Sequence, residues 1–526
     1  MTDAVPDGRR FVMTSAQRRT LLATILGSAA VFLDGTVVNI ALAAIGRDLP
    51  ATTISVLEGQ TYIVSGYFAT LAALLVLAGA LSDYYGRRRV FAIGITAFGL
   101  TSILCGLAAS LELLAIFRVL QGAAGALLIP GSLSVITSVF EGAARARAIG
   151  IWAAATSATT AAGPLIGGVL VDVVGWRAVF LINIPLLAAA LWLTLRYMPE
   201  SRDPHAPARF DWLGAGVACL AVGGLALGAI RGQERGWDDP VAVVALCTGI
   251  VAIIAFPILM ARRPDPLVPP ALFRRRTFAV VNLSTLLLYG ALYVSLTFIY
   301  LYLIGVVGYS PLGAALAVLP VSILLTALST RVGTVAGQVG PRRFLAVGPV
   351  VVAIGLAWLG RTPVDSQPWR PSMNDPSSLV PPADVVTGVM AASTVFGVGM
   401  ALVVAPLTAT LMSSIPVRQA GLGSAINNAI SRVGQPLLAA IAFIIATSAF
   451  YATLGSTLPA IDVADPAIRA TIPPLNAPAA VLPADVVAAS RQASADAFRL
   501  VMLMCAALAA AAAAVNGFGL RREGSE

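Results

Sequence analysis

The chain contains no lysine and a single histidine, His205, and charged residues make up only 11% of its 526 positions. A soluble domain carries about 25%. So few charges exclude an ordinary water-soluble fold. One histidine in a linker excludes a histidine relay and, with scattered aspartates, offers no clustered nucleophile, base or metal set for a membrane enzyme. No glycine loop followed by lysine is present to cradle a nucleotide phosphate, so ATP is not the expected energy source, and no cofactor or metal is expected. The four cysteines, Cys105, Cys219, Cys247 and Cys505, all lie in apolar runs without metal-site spacing, and no disulfide is expected. The first apolar run is too long for a cleavable signal and lacks a cleavage site.

What is abundant is apolar residues, 58% of the chain. They fall in fourteen runs, from 20–45 to 496–519, each long enough to cross about 30 Å of hydrocarbon at about 1.5 Å per residue. The fold class is therefore an all-α polytopic membrane protein. Every one of the 34 basic residues is arginine, and they gather in alternate connections: Arg9, Arg10, Arg18 and Arg19, then Arg87-Arg88-Arg89, Arg145 and Arg147, Arg262 and Arg263, Arg274 to Arg276, Arg342 and Arg343, Arg521 and Arg522. The opposite connections are acidic or poor in arginine, as at Glu234, Asp238 and Asp239. The positive-inside rule then places both termini in the cytoplasm, in a bacterial cytoplasmic membrane. The arginines form no single basic face, so nucleic acid is not an expected partner.

The chain also repeats itself. GALSDYYGRRR (79–89) follows the second run and GTVAGQVGPRR (333–343) the tenth, with glycines matched at Gly79/Gly333 and Gly86/Gly340 and arginines at Arg88/Arg342 and Arg89/Arg343. Setting runs seven and eight aside makes both runs second in a group of six. The organisation expected is six plus two plus six helices: a cytoplasmic tail 1–19, an N-terminal bundle 20–197, a linker 198–276 with two extra helices, a C-terminal bundle 277–519 and a tail 520–526. Two long outside segments, 362–383 and 452–495, read as irregular loops. Internal repeats in a membrane protein point to a transporter whose halves rock about a central site.

Several motifs, in order, resemble those of the major facilitator superfamily, and of its fourteen-helix drug/proton antiporter branch in particular. GALSDYYGRRRV resembles the loop after the second helix, LDGTVVNIAL the first-helix motif, and FRVLQGAAGALLIP the fourth-helix motif with its buried arginine. TTAAGPLIGGVL resembles the fifth-helix antiporter motif, GWRAVFLINIP the segment after it, and LGSAINNAISRVGQPL the late helix-13 signature. The fifth helix has Thr and Ala before Gly163 where the family often has Gly, and the second helix lacks the usual Trp. The resemblance implies a proton-coupled exporter of amphiphilic drugs or natural products. A lipid transporter of the same fold and an uncoupled facilitator are its rivals. Expected partners are an amphiphilic small-molecule or lipid substrate, protons and membrane lipid, and the chain is expected to act as a monomer.

The candidate residues follow from buried polarity. Asp34 is an acid inside the first apolar run, where a charge is costly. A carboxylate that alternates between water and a dry, cation-poor setting binds and releases a proton; the plainer reading is a fixed ion pair between helices. Arg118 stays charged and so can only tune a neighbouring carboxylate, with Gln121 on the same face. The resemblance carries proton coupling to Asp34 and Arg118. Asn427, Asn428, Arg432 and Gln435 form a polar cluster expected to face a cavity or to make a structural network. Asn39, Tyr62, Tyr67, Trp152, Tyr289, Tyr293 and Phe298, with Phe32, are candidate cavity residues, against the alternative of aromatic-belt positions, which suits Tyr300 and Tyr302 better. Glu58 reads as a solvated loop acid. Gly79, Asp83, Gly86, Arg87 and Arg88 are, by resemblance, a conformational latch between the halves. Gly163, Pro164, Gly167 and Gly168 are a kinked, close-packing segment expected to meet the other half. The C-terminal half has no deep acid, which leans the substrate toward hydrophobic, weakly charged or anionic compounds rather than dications.

Overall fold

The structure is a computed structural model that describes residues 13–520, apart from 203–210, 265, 373–374, 416–419 and 479–481. His205 lies outside the described residues. The protein is all-helical in its long elements, and fourteen helices are long and apolar enough to span a membrane. They are α1 Ser15–Asp48, α2 Val56–Tyr85, α3 Arg87–Gly106, α4 Leu111–Val139, α5 Arg147–Val173, α6 Ala178–Tyr197 and α7 Trp212–Arg235. The series continues with α8 Pro240–Arg262, α9 Arg276–Val307, α10 Pro311–Ser329, α11 Pro341–Leu359, α12 Pro376–Ser413, α13 Leu422–Thr457 and α14 Ala484–Gly519.

Local chemistry sets where these helices begin. Thr14 and Gln17 form a reciprocal capping box at α1, and Ser55 and Glu58 do the same at α2. Asp239 caps α8 ahead of Pro240 at its first turn, and Ser310 caps α10 ahead of Pro311. Gly86 and Gly340, matched in the sequence repeat, both take positive φ, +112° and +86°, and separate α2 from α3 and α10 from α11. α10 continues as helix to Val339 to reach that turn. The same local break therefore recurs at the same place in each half.

The helices run past the apolar limits read from sequence. The continuous helix of α12 begins at Ala383, next to the limit near 384 read from sequence, after a separate 3₁₀ turn, while α13 and α14 extend to Thr457 and back to Ala484 and so take up part of the segment 452–495. A short helix, Pro466–Thr471, occupies part of the remainder. In the other outside segment a single β-bridge joins Ser372 and Asp375 beside a short 3₁₀ turn. Helix hydrogen bonding does not stop where side chains turn polar, which is why hydropathy alone shortened these elements.

α1 and α9 are the most buried of the fourteen, while α8 is largely exposed and packs mainly on α7. α7 packs on both α2 and α13 and so bridges the two groups of six. The α7–α8 pair approaches closely, since a side chain at Gly224 or Gly228 would strike α8 backbone. Each described side-chain hydrogen bond between residues 15–197 and 276–519 lies on the side away from the termini or at mid-depth. These are Asn39 with Thr297, Gln60 with Asn476, and Asp172 with the amide of Leu312. None among the described residues joins the halves at the face that carries the termini. Among the described residues, the side-chain hydrogen bonds between the halves are thus confined to the side away from the termini and to mid-depth.

Candidate functional site

Five helices converge on Asp34. Its side chain is wholly buried and pairs with Arg118 of α4, itself 1% exposed. Asp34 Oδ1 accepts from Gln121 Nε2 at 3.0 Å and from Asn183 Nδ2 at 3.0 Å. Arg118 donates through Nε to the carbonyl of Ile63 at 3.1 Å and through Nη1 to Gln121 Oε1 at 2.6 Å. Its guanidinium lies 4.0 Å from the centre of the Tyr67 ring. Ser102 of α3 accepts from Gln121 at 2.9 Å and from Asn183 at 3.3 Å, closing the network. Arg118 and Gln121 are one turn apart on α4, so one helix face presents both to α1.

This arrangement gives both oxygens of a buried carboxyl group hydrogen-bond donors, one of them a guanidinium. All the partners belong to the N-terminal half. Asn183 and Ser102 were not singled out in the sequence, and the available signal was weak: one asparagine in LINIP and one serine among many. Tyr67 and Phe298 do not line open space. Tyr67 is fully buried, with its hydroxyl donating to the carbonyl of Val31 at 3.1 Å, and Phe298 is 1% exposed. Tyr67 instead forms one wall of the ion pair.

A second polar group sits across the seam. α9 and α13 touch where a side chain at Gly290 would strike Leu438 and meet the carbonyl of Gly434, and Tyr289 on α9 lies in the field of Arg432 on α13. Arg432 is 5% exposed and its guanidinium stands 5.5 Å from the ring of Phe32, on the other half. Phe32 meets Trp152 edge-on at 6.4 Å, and Trp152 Nε1 donates to Ser28 at 3.1 Å. Tyr293 packs against Phe68 of α2 at 4.9 Å and against Tyr289 at 6.2 Å. Asn39, buried, accepts from Thr297 across the seam. Asn427 turns instead to α9, donating to Asn282 at 3.0 Å and Thr285 at 2.9 Å, and Asn428 donates to the carbonyl of Ser424. These two asparagines are held in helix contacts, whereas Arg432 and Gln435 are not.

Three expectations need correction. Glu58 is fully buried rather than solvated: neighbouring helices cover it, and as the third residue of α2 it completes the capping box, its Oε2 accepting from Ser55 N at 3.1 Å. Tyr62, half-buried, lies one turn further on against α7, its hydroxyl 3.5 Å from the carbonyl of Leu227. Tyr300 and Tyr302 are not belt residues: both are buried, and Tyr302 stacks on Phe498 at 4.2 Å while donating to the carbonyl of Thr362. The latch residues contact only their own half. Asp83 pairs with Arg87 one turn on at 2.9 Å, and Glu200 after α6 accepts from the amides of Arg88 and Arg89. Glu200 thus satisfies the exposed N-terminus of α3. Among the described residues, the latch side chains make no hydrogen bond or ion pair across the seam.

The fifth-helix glycines divide their work. A side chain at Gly163 or Gly167 would strike Thr36 or Val37 of α1, within the same half, and only Gly168 faces Leu312 of α10 across the seam. Pro164 lies between them inside the helix. All four cysteines are free.

Two matching groups of six membrane-spanning helices, with a buried ion pair inside the first and a buried arginine of the second facing it across the seam, fit a multi-pass membrane transporter rather than an enzyme. The chain belongs to the Major Facilitator Superfamily, whose family model matches residues 24–439. It is 34% identical over 447 residues to the multidrug resistance protein Stp of Mycobacterium tuberculosis, covering 85% of this chain and 78% of that one. It is 33% identical over 446 residues to the puromycin resistance protein of Streptomyces alboniger, covering 82% and 83%. Among solved structures, a bacterial homolog of the human lysosomal transporter Spinster, inward-facing and unoccupied, superposes with a TM-score of 0.63 at 17% identity, over 97% of this chain and all of that one. That last likeness concerns the fold alone.

Proposed function

We propose that this transporter is a proton-coupled exporter, an antiporter that moves amphiphilic drugs or natural products out across the bacterial cytoplasmic membrane. The carrying observation is Asp34, a wholly buried carboxylate held by Arg118, Gln121 and Asn183 on movable helices. The names of its relatives, a multidrug resistance protein and a puromycin resistance protein, support the drug class. The arginine-rich connections put the face with the termini in the cytoplasm. In this reading the conformation with the Asp34–Arg118 pair intact is the inward-facing one.

In this reading the cycle turns on one exchange. Rotation of the halves admits water to Asp34 within its own half, a proton from outside neutralises it, and the carrier returns inward. Re-forming the pair with Arg118 expels the proton, and substrate arriving in the seam favours the outward state. One pH unit supplies about 1.4 kcal/mol per proton, and 100 mV adds about 2.3 kcal/mol per charge moved. No cofactor is needed, since the gradient is the energy source. The latch Asp83–Arg87 would engage the other half once the cytoplasmic ends close. A lipid carrier would need a lateral opening, and α7 fills the seam between α2 and α13, so the small-molecule reading is favoured.

The test is substrate-induced proton release from purified protein, screened over cationic, neutral, anionic and lipid amphiphiles, with Asp34→Asn in parallel. Release by wild type and not by Asp34→Asn is expected. Proton-driven transport by Asp34→Asn at wild-type rate would refute the assignment of the proton site.

A further inference from the structure

Arg432 is a buried cation without a counter-ion among the described residues. It is 95% buried as a residue, being 5% exposed, and its Nε has no hydrogen-bond partner. No carboxylate among the described residues lies within ion-pair distance of it. None is at hand in its own half either: from residue 277 onward the acids are Asp365, Asp375, Asp384, Asp462, Asp465, Asp485, Asp496, Glu523 and Glu526. All of these lie in the outside segments, in the outer turns of α14 or in the tail. Asp34, the buried acid opposite, already has donors on both oxygens from Arg118, Gln121 and Asn183.

The other buried arginine shows what such a group requires. Arg118 has a carboxylate, a backbone carbonyl, an amide oxygen and an aromatic face. Among the described contacts Arg432 has the ring of Phe32, from the other half, and no partner for its Nε. One turn along, Gln435 is 1% exposed and its Oε1 also lacks a partner. Two buried polar side chains one turn apart with unused hydrogen-bonding capacity, the first facing Phe32 across the seam with Tyr289 in its field and Tyr293 packed on Tyr289, are costly unless something completes them. A guanidinium matches a planar or tetrahedral oxyanion, and the rings match an apolar body.

We infer that Arg432 is the anion-binding centre of the substrate site, and that the ligand class is an aromatic or aliphatic amphiphile bearing a carboxylate or comparable oxyanion. This rests on the exporter reading for transport, though not for binding. Because Phe32 and Trp152 belong to one half and Arg432, Tyr289 and Tyr293 to the other, an anion seated there contacts both halves at once. Such a ligand senses their relative position, as alternating access requires.

The probes are three dansyl amphiphiles with one common body, ending in a carboxylate, a neutral amide or a quaternary ammonium. They are titrated by fluorescence against the full-length protein in phosphatidylcholine nanodiscs. Wild type is expected to bind the carboxylate at least tenfold more tightly than the amide and the ammonium least. Arg432→Gln should lose about tenfold for the carboxylate, while amide binding stays within twofold, which also reports an intact fold. Arg432→Lys should recover part of the loss. Equal affinity for the three probes, a preference for the ammonium, or carboxylate binding unchanged in Arg432→Gln would overturn the inference. Repeating the titration with phosphatidylglycerol in the disc separates two sources of the oxyanion. Competition that vanishes in Arg432→Gln identifies a lipid headgroup as an occupant, and its absence identifies the free amphiphile; the anion site stands in both cases. Proton release, read separately with Asp34→Asn, distinguishes failure of the exporter reading from failure of the anion site.

Discussion

Removing the charge of Asp34 should destabilise the protein more than removing both members of its pair. Asp34→Asn leaves Arg118 buried with no counter-ion, although the carbonyl of Ile63, the amide of Gln121 and the ring of Tyr67 remain. The new amide also brings a donor into a pocket where Gln121 and Asn183 already donate to one oxygen. It can accept from that pair or from Arg118, but not from both sides. Breaking a buried pair by removing one partner costs about 3–5 kcal/mol, much of it the uncompensated charge. The double variant Asp34→Asn/Arg118→Gln carries no charge there, so it should recover a substantial part of that loss. The assay is equilibrium unfolding of wild type, both single variants and the double variant in the same detergent, read as a double-mutant cycle. The expected order of stability is wild type, then double variant, then Asp34→Asn. A double variant less stable than Asp34→Asn, or Asp34→Asn as stable as wild type, would refute the view that the pair is dry and mutually compensated.

Three further outcomes follow from other contacts. Gly168→Val should push α5 from α10, since even a Cβ there meets Leu312 backbone. Overpacking of this kind costs about 1–3 kcal/mol, and spin-label distances between residues 172 and 312 should lengthen while those within each half do not. Glu200→Ala should lower stability by about 0.5–2 kcal/mol through loss of the α3 cap; thermal melting that matches wild type would show the cap to be idle. The hydrogen bond from Arg231 holds Asp239 below the usual carboxylate range. Because its folded value is depressed, its contribution is complete above about pH 4, the ordinary Asp value, and is lost only as pH falls through the lower folded value. Asp239→Asn should therefore flatten the acid limb of stability below about pH 4 and leave the curve at neutral pH parallel to wild type.

Much of the fold was legible in the chain because lipid imposes few solutions. A run of twenty apolar residues must close its hydrogen bonds within itself, so fourteen runs became fourteen helices. The repeat at Gly86 and Gly340 marked the two matching turns, since positive φ is open to glycine at little cost. Asp34 and Arg118 were visible for the opposite reason, as charges where charge is expensive. Their partnership was not, because eighty-four positions separate them and spacing on one helix says nothing about which face meets another. The same limit hid Asn183, Ser102 and Glu200, whose types are common and whose roles come from what they touch. Glu58 shows the converse: its position beside Ser55 fixed a capping box locally, but its burial came only from helices packed around it. Sequence determined which segments span, where they turn and which side chains are too polar for their surroundings. Tertiary structure decided which of those polar groups satisfy one another, as Asp34 and Arg118 do, and which, like Arg432, are left waiting for a partner. Hydrogen bonding is a matter of distance and direction in space, and the order of residues along a chain constrains neither beyond a turn or two.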